Sequence, residues 1–298
     1  MVRWLLVLVL AMACLRADAQ DIEPRHWAQM PSGLNFLGLG LNYLEGDIAL
    51  DPVLNIEDAE VQLAGTGLSY IHSFGLAGRS ARLDMLLPYA SGRWEGLLNG
   101  ELTSVRRRGI NDPRIRLSML LYGGPAQSPA EFASTPQSST VVGVALAVSL
   151  PYGDYINDRL INLGNNRWVV RPQLGVTHNR GPWSWELTGS VYVYGDNDRF
   201  YLGSRLESDP LWALQGHVIY TFRPGLWMSI STAYGWGGES QVNGVDKNAE
   251  VGNWLTSLSL GVPLSRTQGL KFSLLHGVAQ RPTGIDMDNL IVSWSIMY

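Results

Sequence analysis

Alternation with a period of two residues is the feature that most constrains the fold of this chain. From Leu34 onward, large apolar residues alternate with glycine, alanine, serine or threonine in twelve segments. The last segment is the clearest, because Leu290, Val292 and Trp294 share one face while Ser293 and Ser295 occupy the other. Successive side chains of a strand point to opposite faces, so each segment predicts a β-strand with one large apolar face. The predicted strands are 34–44, 62–73, 79–90, 112–122, 139–150, 167–178, 183–194, 210–222, 226–237, 253–264, 269–280 and 287–298.

Two folds hide an apolar strand face, a soluble β-sandwich and a transmembrane barrel. In a sandwich the outer face carries surface charge, whereas the second face here is mostly small and uncharged. Charged residues make up 16% of the chain, against about 25% in an average soluble domain. A closed barrel satisfies its backbone groups in lipid and turns its apolar face outward. We therefore predict an all-β fold, a 12-stranded antiparallel transmembrane β-barrel of the outer-membrane type, with the sandwich as the alternative.

The connections between the predicted strands support the barrel. Short turns at 74–78, 179–182, 223–225 and 265–268 alternate with long polar loops at 45–61, 91–111, 151–166, 195–209 and 238–252. Outer-membrane barrels have short periplasmic turns and longer outer loops. The stretch 123–138 is the exception, because it is long on the predicted periplasmic side. Aromatic residues near strand ends fit the girdles at the membrane surface; they are Tyr89, Trp168, Trp183, Trp185, Trp212, Trp227 and Trp254.

The N-terminus predicts export. Residues 1–19 combine Arg3, an apolar run of ten residues at 4–13 and an Ala17-Asp18-Ala19 cleavage site, which is the pattern of a signal peptide. The apolar run is too short to cross a bilayer, which takes about 20 residues. Acylation at Cys14 is the alternative. We expect residues 20–298 to form a single barrel domain in the outer membrane of a Gram-negative bacterium.

Several motifs carry a family resemblance. They are Gly109 to Pro113 followed by Arg114 and Arg116, the run 142–152, Ile161 to Trp168 leading into Arg171-Pro172, Asp196 to Asp198, Asp209-Pro210 followed by 214–217, and Tyr220 to Trp227. With these motifs the chain resembles the phenol-degradation meta-pathway family of outer-membrane proteins, which are transporter-like barrels. The resemblance implies uptake of small, aromatic or hydrophobic solutes, and it brings no catalytic site with it.

If the large apolar residues face lipid, the opposite residues line the lumen. The candidate lumen-lining residues are Arg82, Asp84, Arg114, Arg116, Arg171, Gln173, Glu186, Tyr192 and His217, together with Tyr122, Tyr194, Gln215 and Lys271. Arginines facing acidic residues could orient a dipolar or anionic solute. Alternatively, the same charges form a structural network that fills a narrow lumen. The sequence leaves both interpretations open.

Other classes of function find little support in the sequence. A strand-borne hydrolase site would place serine two residues after histidine, and no histidine here has a serine there. The histidines are also too dispersed for a metal site, so we expect no catalytic residues, no metal and no cofactor. A pI near 5.7 without a dense Lys/Arg face argues against nucleic-acid binding.

The sequence thus predicts a channel or transporter for small solutes rather than an enzyme. A structural or interaction barrel with a plugged lumen is the alternative, and an outer-membrane hydrolase is the third possibility. The expected partners are outer-membrane lipids, lipopolysaccharide and the solute. The barrel-assembly machinery is a further expected partner, through the C-terminal strand that ends at Tyr298.

Overall fold

Antiparallel strands close into a barrel in the computed structural model of the chain, which describes residues 22–49, 56–98, 100–159, 161–281 and 284–298. The strands are β1 Asn35–Ala49, β2 Ile56–Leu76, β3 Arg79–Leu98, β4 Glu101–Ile110, β5 Arg114–Tyr122, β6 Thr140–Ser149, β7 Val169–Arg180, β8 Trp183–Tyr194, β9 Asn197–Phe200, β10 Ser204–Ser208, β11 Leu211–Arg223, β12 Leu226–Gly237, β13 Ser240–Val242, β14 Val245–Asp246, β15 Val251–Pro263, β16 Gln268–Ala279 and β17 Gly284–Met297. A short helix, α1 Pro129–Ser134, lies between β5 and β6.

The barrel wall has twelve positions around its circumference. β4 and β5 share one position, because both pair with β3 and are separated only by residues 111–113. The wall closes where β1 pairs with β17, from Phe36 opposite Met297 to Ala49 opposite Gly284. Backbone hydrogen bonds of 2.9 and 3.1 Å between Asn35 and Tyr298 extend this seam to the last residue. The predicted 12-stranded antiparallel barrel is confirmed.

The two faces of the wall differ as the alternation predicts. On the outer face, Leu41 is 54% exposed and Ile230 is 65% exposed. On the inner face, Ser229, Ser231 and Ser259 are almost fully buried. A barrel of this kind places its apolar band against lipid and its small polar residues toward the lumen.

The strand bounds agree best where a strand crosses the apolar band. β8 and β12 have the predicted bounds, but the predicted loops 45–61 and 91–111 are wrong, because they contain the ends of β1 and β2 and the β3–β4 hairpin. The predicted loops 195–209 and 238–252 contain β9, β10, β13 and β14, which form a separate four-stranded sheet. Beyond the bilayer both faces of a hairpin meet polar surroundings, so the alternation that reveals a strand disappears.

The long connection 123–138 holds α1 at the end of the barrel where the turns are short. The hydroxyl of Ser128 accepts from the Glu131 amide, and the Glu131 carboxylate accepts from the Ser128 amide, which forms a capping box at the start of the helix. The backbone of Gln127 accepts from the Ser32 amide at 2.8 Å, so this connection also contacts the chain before β1. The predicted signal peptide and Cys14 lie outside the described residues.

Candidate solute pathway

A row of charged side chains crosses the inner wall at one level. The strand register places Asp84 opposite Arg116, Arg116 opposite Ala147, and Ala147 opposite Arg171. The guanidinium of Arg116 donates to Asp84 Oδ2 at 3.0 Å. Arg82, one inward position away on β3, also pairs with the Asp84 carboxylate, at 2.8 Å. Two arginines therefore share one carboxylate on this side of the lumen.

Small residues between the charged ones let them meet across strands. Arg116 Nε donates to Gln173 Oε1 at 2.7 Å, which links β5 to β7 over the alanines of β6. Arg171 is 4% exposed, and its Nε donates to Ser190 Oγ at 3.1 Å. The Arg171 guanidinium also lies 4.4 Å from the centre of the Tyr192 ring, which is a cation–π contact. The predicted residues Arg82, Asp84, Arg116, Arg171, Gln173 and Tyr192 thus come together.

Two other predicted residues lie deeper in the barrel. Glu186 accepts from the hydroxyl of Thr177 at 3.1 Å and from the backbone amide of Arg25 at 2.5 Å. His217 lies directly opposite Glu186 in the register, and its Nδ1 is 2.8 Å from Ser231 Oγ. The contact between His217 and Ser231 therefore links β11 to β12. Ser231 is only 1% exposed, so its hydroxyl is buried under the surrounding residues.

Two aromatic residues differ from their predicted surroundings. Tyr122, predicted to point inward, is largely exposed, because the register of β5 shifts between Leu120 and Tyr122. Trp227, predicted in the girdle, lies on the inner face, with the Arg25 guanidinium 5.3 Å from its ring centre. Lys271, predicted to line the lumen, forms an ion pair with Glu23 of the N-terminal segment inside the barrel.

A segment that the strand alternation does not predict lies inside the lumen. Residues 22–34, the N-terminal segment, run inside the barrel before β1 begins. Trp27 is 1% exposed and donates from Nε1 to Thr188 Oγ1 at 2.7 Å. Its indole covers Gly143 and Gly175, which face each other on β6 and β7 and leave room for the ring because neither has a side chain.

Further contacts hold the N-terminal segment on both sides of Trp27. Ile22 packs against Ala233, Leu255 and Leu275 from the opposite wall. On the other side of Trp27, the Ser73 hydroxyl donates to the carbonyl of Pro31 at 2.7 Å. The segment therefore touches several strands around the barrel rather than lying along one of them.

His26 of this segment lies among the lumen arginines. Burial inside the barrel lowers the pKa of His26 well below its ordinary value, and the positive charges of Arg116, Arg82, Arg171 and Arg114 lower it further. The imidazole is therefore neutral at pH 7 while the segment is docked. Protonation would add a positive charge to a site that already holds four guanidinium groups.

Apolar residues line the lumen toward its outer end. Ile161 and Leu163, from the predicted loop 151–166, pack against Leu44, Val61 and Trp94 of the inner wall. Around the other half of the wall, Tyr192, Leu211 and Val251 form a second apolar cluster. A solute entering from outside would meet these apolar groups before it meets Gln173 and the serines below.

The sequence motifs that carry the family resemblance hold this outer loop in position. The Asp112 carboxylate accepts from the amides of Gly153 and Asn165, at 2.9 and 2.8 Å, and from the Asn165 side chain at 3.0 Å. Asp154 in turn accepts from the Ile110 amide at 2.8 Å. Burial raises the pKa of the Asp112 carboxyl, against the lowering effect of these hydrogen bonds. The motifs therefore have a structural role at the mouth.

Comparison with known proteins identifies relatives of this barrel. Residues 51–285 match the protein family described as "Putative MetA-pathway of phenol degradation". The COG4313 outer membrane channel from Pseudomonas putida F1 superposes with a TM-score of 0.76 at 20% identity, over 93% of this chain and 100% of that one. No curated protein sequence matches the chain significantly.

Two autotransporter domains share the fold at lower similarity. The beta domain of the Bordetella autotransporter BrkA superposes with a TM-score of 0.52 at 9% identity, over 89% of this chain and 99% of that one. The transport unit of AIDA-I from Escherichia coli gives a TM-score of 0.52 at 9% identity, over 97% and 95% of the two chains. At these identities the likeness concerns the fold.

Proposed function

The chain belongs to the family described as "Putative MetA-pathway of phenol degradation". We propose that it is an outer-membrane channel in a Gram-negative bacterium. It would serve the passive or facilitated uptake of small aromatic or amphipathic solutes. The observation that carries the proposal is the composition of the inner wall. A barrel that served only as a scaffold could fill its interior with apolar side chains, whereas this one combines an apolar mouth with buried arginines and serines.

The contents of the lumen suit a solute with an apolar body and a polar group. The apolar cluster of Tyr192, Leu211 and Val251 lies beside the row that contains Arg116 and Arg171. The family description names phenol degradation, and the relative from Pseudomonas putida is named an outer membrane channel. These names support the solute class and the channel role that we propose.

The N-terminal segment favours a closed resting state of this channel. Its contacts with strands on both sides of the lumen also support the alternative, a structural or interaction barrel that stays plugged. The two proposals differ in whether the segment can leave. We expect outer-membrane lipids and lipopolysaccharide to surround the barrel in either case, and the strand ending at Tyr298 to engage the assembly machinery.

Flux through the refolded protein tests the channel. The chain from Gln20 to Tyr298 would be reconstituted in liposomes and planar bilayers, alone and with the Trp27→Ala substitution. We expect a low conductance for the unsubstituted protein and a larger one for the variant, with liposome swelling in small neutral solutes. If neither protein conducts or swells liposomes, the channel is refuted and the plugged barrel is the better description.

A further inference from the structure

We propose that Arg171, with Arg116 and Tyr192, forms a binding site in the lumen for the carboxylate of a small aromatic acid. The inference deepens the proposed channel and rests on it for its biological role, although binding can be measured without transport. It concerns the level of the wall where Asp84, Arg116, Ala147 and Arg171 follow one another in the strand register.

Several arginines are concentrated at this level of the wall. Arg82 and Arg116 both pair with the Asp84 carboxylate, and Arg114 and Arg171 lie on the same side of the lumen. Buried charges are stable when they are paired and hydrogen-bonded, and a group of like charges raises the cost of burial. A solute carboxylate close to these guanidinium groups would therefore be stabilised.

Arg171 has the geometry to hold such a carboxylate. Its Nε is engaged by Ser190 and one face of the guanidinium by Tyr192. Within the described chain, its buried Nη2 atom has no hydrogen-bond partner. Arginine binds carboxylates through a planar fork of donors, so the terminal Nη2 is the natural donor to a ligand.

The surroundings of the arginines accept an aromatic ring. The Arg116 guanidinium lies 5.0 Å from the centre of the Trp27 ring, so a ring already stacks on this row. Tyr192, Leu211 and Val251 add an apolar surface next to Arg171. A benzoate-sized anion could place its carboxylate at Arg171 and its ring against these groups, in competition with the N-terminal segment.

The strand pairing of the barrel wall is interrupted at this position. The β7–β8 ladder pairs Val170 with Val193 and resumes at Gln173 with Ser190, so the register leaves out Arg171 and Pro172. Proline has no amide hydrogen to donate, and it occurs within sheets where the ladder is interrupted. The interruption includes Arg171, whose side chain is oriented by Ser190 and Tyr192 of the facing strand.

Calorimetric titration of the refolded chain in detergent tests this site. The probes are sodium benzoate, the neutral isostere benzamide, and acetate, at pH 7.5. We expect benzoate to bind more tightly than either of the others, and Arg171→Gln to weaken benzoate about tenfold or more, as for loss of a hydrogen bond to a charged group. Arg180→Gln, at the exposed end of the same strand, is the matched control and is expected to bind benzoate normally.

Arg171→Lys distinguishes the fork from the charge alone, and it also serves if Arg171→Gln does not fold. We expect Lys to restore only part of the affinity, because an ammonium group cannot bind a carboxylate in the bidentate manner. Equal benzoate affinity in the unsubstituted, Arg171→Gln and Arg180→Gln proteins would overturn the site, as would equal binding of benzoate and benzamide. Neutral-solute swelling of liposomes is scored separately, so a failed channel and a failed anion site give different results.

Discussion

Replacing Gly175 with alanine is expected to loosen the N-terminal segment without changing any residue of that segment. A Cβ atom at position 175 would overlap Nε1 and Cε2 of the Trp27 indole. The indole is fixed on its other sides by Thr188 and by the cluster of Leu120, Val141 and Ala145. The ring therefore cannot shift by the required distance and keep its contacts.

The size of the effect follows from the packing. Overfilling a well-packed site costs about 1–3 kcal/mol, which corresponds to a shift of roughly 5- to 150-fold between docked and released states. Trp27→Ala sets the upper limit, because a tryptophan buries about 150–250 Å². At about 25 cal/mol per Å² this amounts to about 4–6 kcal/mol, close to the 3–5 kcal/mol typical of such truncations.

Two measurements report the released state. Planar-bilayer conductance should rise in Gly175→Ala and rise further in Trp27→Ala. A cysteine introduced at Ala28 should react faster with a water-soluble maleimide in both variants, because the mature chain predicted from Gln20 contains no other cysteine. The order of the two variants should be the same in both assays.

Gly40→Ala is the control on the same inner wall. A Cβ there would meet Ser293 Oγ at 3.5 Å and the Gly67 carbonyl at 3.8 Å, which are ordinary contacts. Its conductance and labelling rate should match those of the unsubstituted protein. If Gly175→Ala also behaves like the unsubstituted protein in both assays, the reasoning that Trp27 fills the hollow over these glycines is refuted.

Three further predictions follow from the same structure. Acidification below about pH 6.5 should raise the conductance measured between pH 7.5 and 5. The pKa of the docked His26 is lowered, so a released His26 takes up a proton that the docked one does not, and low pH favours release. His26→Gln should abolish this part of the pH response. Asp112→Ala should remove the acceptor of three hydrogen bonds and lower the free energy of unfolding by about 1–3 kcal/mol, measured by urea titration, with trypsin cleavage of 151–167 increased. Phe272→Arg on the exposed lipid face should destabilise the barrel in vesicles, by no more than the roughly 2–4 kcal/mol that an arginine costs at a bilayer midplane, whereas Phe272→Leu should change stability little.

The fold could be predicted because lipid and lumen impose opposite demands on the two faces of one strand. Every wall strand that crosses the bilayer carries this contrast, so β8 and β12 have the bounds that the alternation predicts. The contrast is lost beyond the bilayer, where Asp47 on β1 lies opposite Glu60 on β2. It also fails at a register shift, which is why Tyr122 points away from its predicted side.

The candidate site could be predicted only in part. Parity along each strand placed the arginines and Asp84 on the inner side, but the contact between Arg116 and Gln173 depends on alanines between them, which parity alone does not reveal. The N-terminal segment has no alternation of large apolar and small residues that would predict its position. The available signal was the pair of inward glycines, Gly143 and Gly175, which face each other on neighbouring strands and leave a hollow.

The position of the N-terminal segment has a consequence for the order in which the molecule folds. Most wall strands pair with their neighbours in sequence, as β15 does with β16 and β16 with β17, and such local contacts form early. Trp27 instead bonds to Thr188, 161 residues away, on strands that must pair before its binding site exists. Because closing so long a loop is entropically unfavourable until that site is ready, docking of the segment is a late event. We therefore expect β6, β7 and β8 to pair before Trp27 covers the two glycines between them.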